Sequence, residues 1–351
     1  MVLENALFLI VGLIFLVKGS DLFVKSAATI AKKLGVSELV IGLTLVAVGT
    51  SLPELMSAIF ASVKHESGLV IGNIVGANIA NMGLVVGLVA LIAVIKTKDE
   101  MVWRDGYIAL FISVLLYLFI SNGVISKIEG MIFLFLYFAY VMFLFETKTE
   151  SGKGYGFREF TEYFFKFRYI MTIRSRIIAS FVRKEGPAKE RKIWDLFKAG
   201  IFKDLIMMII SGFLLLNGAN YVVGEAVFFA RLFDVPSTVI GIFIAIGTTM
   251  PEMSVALAAS RKGLGNIIIG DAIGSCITNI LLILGVASII NPVSVKGITL
   301  FYTAPFMILI TILLLVFIRS DWKIKRGEGI ILLFLYLLFF VLLFALPILP
   351  R

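Results

Sequence analysis

The chain has 351 residues, 60% of them hydrophobic and only 16% charged, whereas a soluble domain is nearer half apolar and a quarter charged. That balance excludes a water-soluble globular protein, and a single cysteine excludes intrachain disulfides and cysteine metal clusters. The net charge of +9 needs no nucleic-acid partner, because the basic residues gather in loops that would face anionic lipid.

Apolar runs near 20 residues recur along the chain, the length a helix needs to cross a hydrocarbon core of about 30 Å. None alternates as barrel strands do. The first, NALFLIVGLIFLVKGSDLFV, follows the acidic stub MVLE and shows no small-residue cleavage site, so it reads as a retained span and not a signal peptide. Ten spans are expected, at 5–24, 38–62, 69–94, 104–121, 127–146, 202–224, 237–260, 265–290, 298–318 and 328–348. Lys18 and Asp21, near the inner end of the first, pair or snorkel. His65 reads as a solvated loop residue, and Cys276 as a small apolar helix residue.

Charge sets the orientation. Loops after the odd-numbered spans hold 25 Lys and Arg residues against 5 on the other side. The positive-inside rule then puts the odd loops in the cytoplasm and both termini outside. Thirteen of those bases lie in residues 147–200, with only six acids. Aromatic and basic residues are loosely interleaved there. The segment reads as a basic amphipathic helix on the anionic inner leaflet, or as a linker or small regulatory element. No calcium-binding domain is expected in it.

The chain is doubled. Thr50, Pro53, Glu54, Gly72, Gly76 and Asn81 recur as Thr248, Pro251, Glu252, Gly270, Gly274 and Asn279, each 198 residues later. Val40-Ile41-Gly42 recurs as Val239-Ile240-Gly241 at an offset of 199. Each half carries five spans. Five is odd, so the second copy enters the membrane from the opposite side. Such inverted repeats are typical of secondary transporters, which bind their cargo near the midplane. The expected fold is thus an all-α polytopic membrane protein of ten helices in two inverted five-helix repeats, 1–146 and 201–351, joined by the 147–200 loop.

Each repeat spends a proline and a carboxylate in apolar surroundings, in LVAVGTSLPELMSAIF and FIAIGTTMPEMSVALA. Pro53 lacks an N–H, so the Gly49 carbonyl loses its helical donor. Open backbone at membrane depth survives only in protein or beside a cavity. Thr50 and Glu54 share a helix face with Ser51 beside them. The second copy repeats the set with Thr248, Thr249, Pro251 and Glu252, and the carbonyls of Ala47 and Ala245 could join if the helices open one turn earlier. These are hard oxygen donors, suited to Ca2+ or Na+. Opposite run the stripes Asn73–Ala77–Asn81 and Asp271–Ser275–Asn279, beside Gly-x-x-x-Gly pairs that permit close helix approach. Each intramembrane carboxylate costs roughly 2.5–3.5 kcal/mol on insertion scales, and a divalent cation would neutralise two at once. Asp271 has two open readings: a residue on the ions' route in, or a bond to a helix end.

Gly-Thr-Ser-Leu-Pro-Glu at 49–54, Gly-Asn-x-x-Gly-x-Asn at 72–78 and their second-half counterparts resemble the α-repeats of the sodium/calcium exchangers, in the calcium/cation antiporter superfamily. The motifs cover 36–90 and 235–287. The resemblance implies alternating access, with a central site lined by spans 2, 3, 7 and 8. It implies Glu54 and Glu252 as the main Ca2+ and Na+ ligands. Oxygens would come from Thr50, Ser51, Thr248, Thr249 and Ser275, the Ala47 and Ala245 carbonyls, and the Asn81 and Asn279 side chains. Spans 1 and 6, around Gly19 and Gly218, would move as a gating pair. Ala77 stands where many relatives have Ser, and Asn279 is neutral where some prokaryotic relatives have Asp. Two carboxylates match one Ca2+ but compensate three Na+ less well, which opens H+ as an alternative counter-ion. The GTSLPE form favours sodium.

The expectation is therefore a multi-pass antiporter of the cell membrane, with transported ions and no resident cofactor, and not an enzyme. A cation channel would need a continuous polar file. An intramembrane protease would need a second aspartate matching Asp271, and none presents itself.

Overall fold

The computed structural model describes residues 2–33, 47–97, 101–147, 157–166 and 201–345. Its elements are α-helices, with four two-residue strands. They begin with α1 (Val2–Lys33), α2 (Ala47–Thr50), α3 (Leu52–Val63), α4 (Ser67–Ile92), α5 (Val102–Ile120) and α6 (Lys127–Thr147). A short α7 (Phe157–Phe165) precedes the long α8 (Ile201–Leu232). The rest are α9 (Ser237–Thr248), α10 (Met250–Arg261), α11 (Gly265–Ile290), α12 (Thr299–Asp321) and α13 (Arg326–Ala345). Among the described residues nine helical stretches are long and apolar enough to cross a membrane, α9 and α10 counting together as one. The expected span 38–62 falls partly outside the described residues, and its described part is α2 with the shorter apolar α3. Large side chains such as Phe213, Phe301, Phe334, Leu337 and Val341 are more than half exposed. So much outward apolar surface suits lipid, not water.

α1 and α8, at 32 residues each, span about 48 Å at 1.5 Å per residue, longer than the bilayer core. They pack along one another through glycine. A Cβ on Gly218 would lie 2.8 Å from the Leu16 amide nitrogen, and one on Gly19 would lie 3.1 Å from that of Leu215. Lys33 and Asp204 close the pair with an ion pair at 2.5 Å. Asp21, exposed, pairs with Lys25 at 3.3 Å.

α4 and α11 form the interior; each contains a π-helical turn, at Ala80–Val85 and Asn279–Leu284. α4 lies against α9, with Gly72 on the Thr238 carbonyl and Gly76 on Ile242, contacts that leave no room for a side chain. The exposed His65 turns the chain from α3 to α4 with φ +59°.

Four short strands tie helix ends together: β1 (Ile95–Lys96), β2 (Val124–Ile125), β3 (Val293–Ser294) and β4 (Lys323–Ile324). β1 pairs antiparallel with β4, placing Ile95 opposite Ile324. β2 pairs with β3, placing Ile125 opposite Val293.

Of the 147–200 segment, α7 is described. It is amphipathic, as expected, but its apolar face meets protein. Phe160 and Tyr163 are buried, with Phe160 5.3 Å and Tyr163 5.6 Å from Phe143 of α6, and Phe157 5.8 Å from Phe111 of α5. Its exposed face carries Arg158, Glu162 and Lys166 in i, i+4 ion pairs. Most of the bases that suggested anionic lipid lie in 167–200, outside the described residues.

Candidate cation site

Two helix breaks build the site. Ser51 separates α2 from α3 with φ −88° and ψ 11°, and Thr249 separates α9 from α10 with φ −80° and ψ 6°. Both occupy the sparsely allowed bridge region, where functional residues recur. The cause is local. Pro53 and Pro251 stand in the first turn of the new helices, where a missing N–H costs nothing and the fixed φ favours helix initiation. Glu54 and Glu252 fall in that same turn, where the positive end of the helix dipole offsets part of the cost of burying a carboxylate.

Both glutamates are 1% exposed. They lie close enough to interact electrostatically, and the arrangement is reciprocal: Glu54 faces Thr248, and Glu252 faces Thr50. Ser51, Thr248, Thr249, Ala77, Asn81, Ala245, Ser275 and Asn279 are all buried, and Thr50 is half-buried. Of Ala47 only the backbone is described, as the first residue of α2. Asp271 is half-buried on the Ser275–Asn279 face of α11, and its charge is felt by both glutamates.

The polar atoms here lack partners. Among the described residues, 14 buried side-chain nitrogens and oxygens have none, and eight belong to the expected site. They are Thr50 Oγ1, Ser51 Oγ, both Glu54 oxygens, Glu252 Oε2, both amide atoms of Asn81, and Asn279 Oδ1. Each such group costs about 1–3 kcal/mol. Together that is on the order of 10 kcal/mol, as large as the net stability of a typical protein. A fold retains so concentrated a penalty where a ligand relieves it. Apart from Asn81 Nδ2, the unpartnered atoms are oxygens, so the ligand they fit is a cation. No group of three or more His, Cys, Asp or Glu poised for a metal exists among the described residues. A site built mainly from neutral oxygens suits an ion that must leave again.

Two expected donors are not free. The Gly49 carbonyl released by Pro53 accepts a hydrogen bond from Ser20 Oγ of α1 at 2.6 Å. α9 stays closed at Ala245, whose carbonyl accepts from the Thr249 amide at 3.0 Å and from Thr249 Oγ1 at 2.9 Å.

Three contributors were not in the expected ligand set. Asn78 accepts the Asn279 amide at 2.9 Å, leaving Asn279 Oδ1 open. Asn73 Oδ1 accepts from Thr248 Oγ1 at 3.3 Å. Ser20 is the third. Asn73 and Asn78 stand in the motif that carried the resemblance, so their positions were visible but not their bonds. Ser20 gave no signal, since it lies 29 residues from its partner.

The family described as sodium/calcium exchanger protein matches residues 4–146 and 203–345, both halves of the membrane core. The chain belongs to the sodium/calcium exchanger family. It is 48% identical to the sodium/calcium exchanger MaX1 of Methanosarcina acetivorans over 98% of this chain and 99% of that one. It is 30% identical to the inner membrane protein YrbG of Escherichia coli over 95% of this chain and 94% of that one. Its fold is similar to that of the solved sodium-calcium exchanger NCX_Mj soaked with Na+ and Sr2+. The TM-score is 0.59 at 29% identity, covering 97% of this chain and 99% of that one. As an exchanger-family member it is a multi-pass integral protein of the cell membrane, and such relatives are transporters.

Proposed function

We propose that the protein exchanges Ca2+ against Na+ across the cell membrane by alternating access, binding either ion at the paired helix breaks. The observation that carries this reading is the cluster of eight unpartnered buried polar atoms, which includes two residue pairs related by the 198-residue offset, Glu54 with Glu252 and Asn81 with Asn279. Glu54 and Glu252 supply the negative charge. Thr50, Ser51, Thr248, Thr249, Ser275, Asn81 and Asn279 supply neutral oxygens, and the Ala47 and Ala245 carbonyls join when the helices loosen. Ala77 contributes a methyl group where a hydroxyl would add another ligand. Either Ca2+ or Na+ satisfies the cage, so each displaces the other, and that competition is the physical basis of exchange.

The fold behind this reading is ten transmembrane helices in two inverted repeats, 1–146 and 201–351, with both termini outside. The strand pairs support it. Moving the Ile95–Ile324 pair by 198 and 199 residues gives Val293–Ile125, which is the other pair. Asn78 and Cys276, 198 apart, meet each other at 3.5 Å, as residues beside a two-fold axis must. The approach of Glu54 to Thr248 and of Glu252 to Thr50, without a hydrogen bond, is reciprocal in the same sense. The orientation rests on the loop charges, and the bases of 147–200 face anionic lipid at the inner leaflet.

Uptake of 45Ca into proteoliposomes tests the function. An outward Na+ gradient should drive uptake and an outward H+ gradient should not. Uptake indifferent to Na+ refutes the proposal, and uptake driven by H+ would assign a Ca2+/H+ antiporter on the same fold.

A further inference from the structure

α1 touches both helix breaks. Val24 presses on Gly49 and Leu13 on Gly247, each too closely for any side chain there. Between these contacts, Ser20 donates its hydroxyl to the Gly49 carbonyl at 2.6 Å, with Ser20 only 2% exposed. That carbonyl has lost its helical donor to Pro53, and it directly precedes Thr50 and Ser51, whose hydroxyls are unpartnered. The second repeat is built differently: position 219, which matches Ser20 at the 199-residue offset, is the buried Ala219.

We propose that Ser20 is a positioning residue that couples movement of α1 to occupancy of the first half-site. The inference rests on the antiport reading above. With α1 in its present place, the Ser20 hydroxyl satisfies the Gly49 carbonyl. When α1 withdraws, that carbonyl needs a new partner, and in the dry passage between access states a bound cation is the partner at hand. A loaded site supplies it. An empty site leaves a buried acceptor unpaired and resists the passage. The serine therefore holds back the empty transporter, whose unladen return is the step that would let Ca2+ leak without exchange. With Ala219 at the matching position, only one half-site carries this restraint.

The experiment compares Na+-driven 45Ca exchange with 45Ca loss in the absence of Na+, in proteoliposomes of the full chain. Ser20→Ala leaves the carbonyl unpaired in every empty state and open to the cation in every loaded one, so neither passage changes its pairing and the difference between loaded and empty passage is lost. The ratio of leak to exchange should rise about fivefold, equivalent to about 1 kcal/mol at tenfold per 1.4 kcal/mol, and Ser20→Thr should restore it. Ser20→Cys, close in size and a weak donor, should fall between and serves if the alanine variant does not fold. A general loss of structure would lower both fluxes together and leave the ratio alone. An unchanged ratio in Ser20→Ala, or in Ser20→Cys where that is the variant measured, overturns the role of Ser20. Absence of Na+-driven exchange in the unsubstituted chain refutes the antiport reading itself.

Discussion

Replacing Glu54 with Gln removes one of the two glutamate charges and one of the unpartnered carboxylate oxygens while conserving shape. At about 4 Å and an effective dielectric near 20, a carboxylate attracts a divalent ion by about 8 kcal/mol, part of which desolvation cancels. If half survives, affinity falls by about three decades. The consequence is measurable without transport. Ca2+ at 100 times its Kd stabilises the native state by about 2.7 kcal/mol, worth about 3–5 °C in a protein of this size. Thermal unfolding in detergent, followed by tryptophan fluorescence, should show that rise for the unsubstituted protein. Glu54→Gln should melt normally without Ca2+ and show no rise at the same concentration. Glu252→Gln should behave alike. A variant that folds and keeps its full Ca2+-dependent shift would refute the cage, because the charge it lacks is half of the glutamate charge that faces the ion.

Other expectations follow from particular contacts. Gly72→Val forces a side chain into the Thr238 carbonyl, so it should cost about 3 kcal/mol or more and give aggregated protein on size-exclusion chromatography. Asn78→Ala frees the Asn279 amide; it should weaken Ca2+ binding about tenfold in a thermal-shift titration while the protein still folds. Lys166, with Arg158, holds the exposed Glu162 carboxyl below its ordinary 4.5. The stabilisation from a depressed carboxylate is present above the ordinary value and lost as pH falls through the depressed one. Acid titration should therefore weaken α7 below about pH 4.5, and Glu162→Gln should abolish that step in Tyr163 fluorescence.

The membrane class, most of the helices and the paired breaks were legible in the sequence for a simple reason. Apolar length and proline act locally, so Pro53 and Pro251 marked disturbed helix in each span, although the breaks fall at Ser51 and Thr249 and not one turn earlier at Ala47 and Ala245. The burial of Glu54 and Glu252 followed from their apolar neighbours. What stayed hidden depends on partners distant in the chain. Pro53 told us that the Gly49 carbonyl would be released, but not that Ser20 would claim it. The Ala245 carbonyl remains helical because Thr249 bonds it with both amide and hydroxyl, and a Thr beside a break suits either outcome. The apolar face of α7 was plain, yet sequence does not distinguish lipid from Phe111 and Phe143 as its cover. Composition describes a surface without naming its neighbour.

The crossed strand pairs constrain how such a molecule changes shape. β1 belongs to the first half and β4 to the second, and β2 and β3 are likewise shared, so each half is stitched to the other by two ribbons. Between the residues they join, the two halves cannot swing apart like the covers of a book without tearing backbone hydrogen bonds. Among the described residues the long helices α1 and α8 carry no such stitch. Displacement of that pair along its own length breaks neither ribbon.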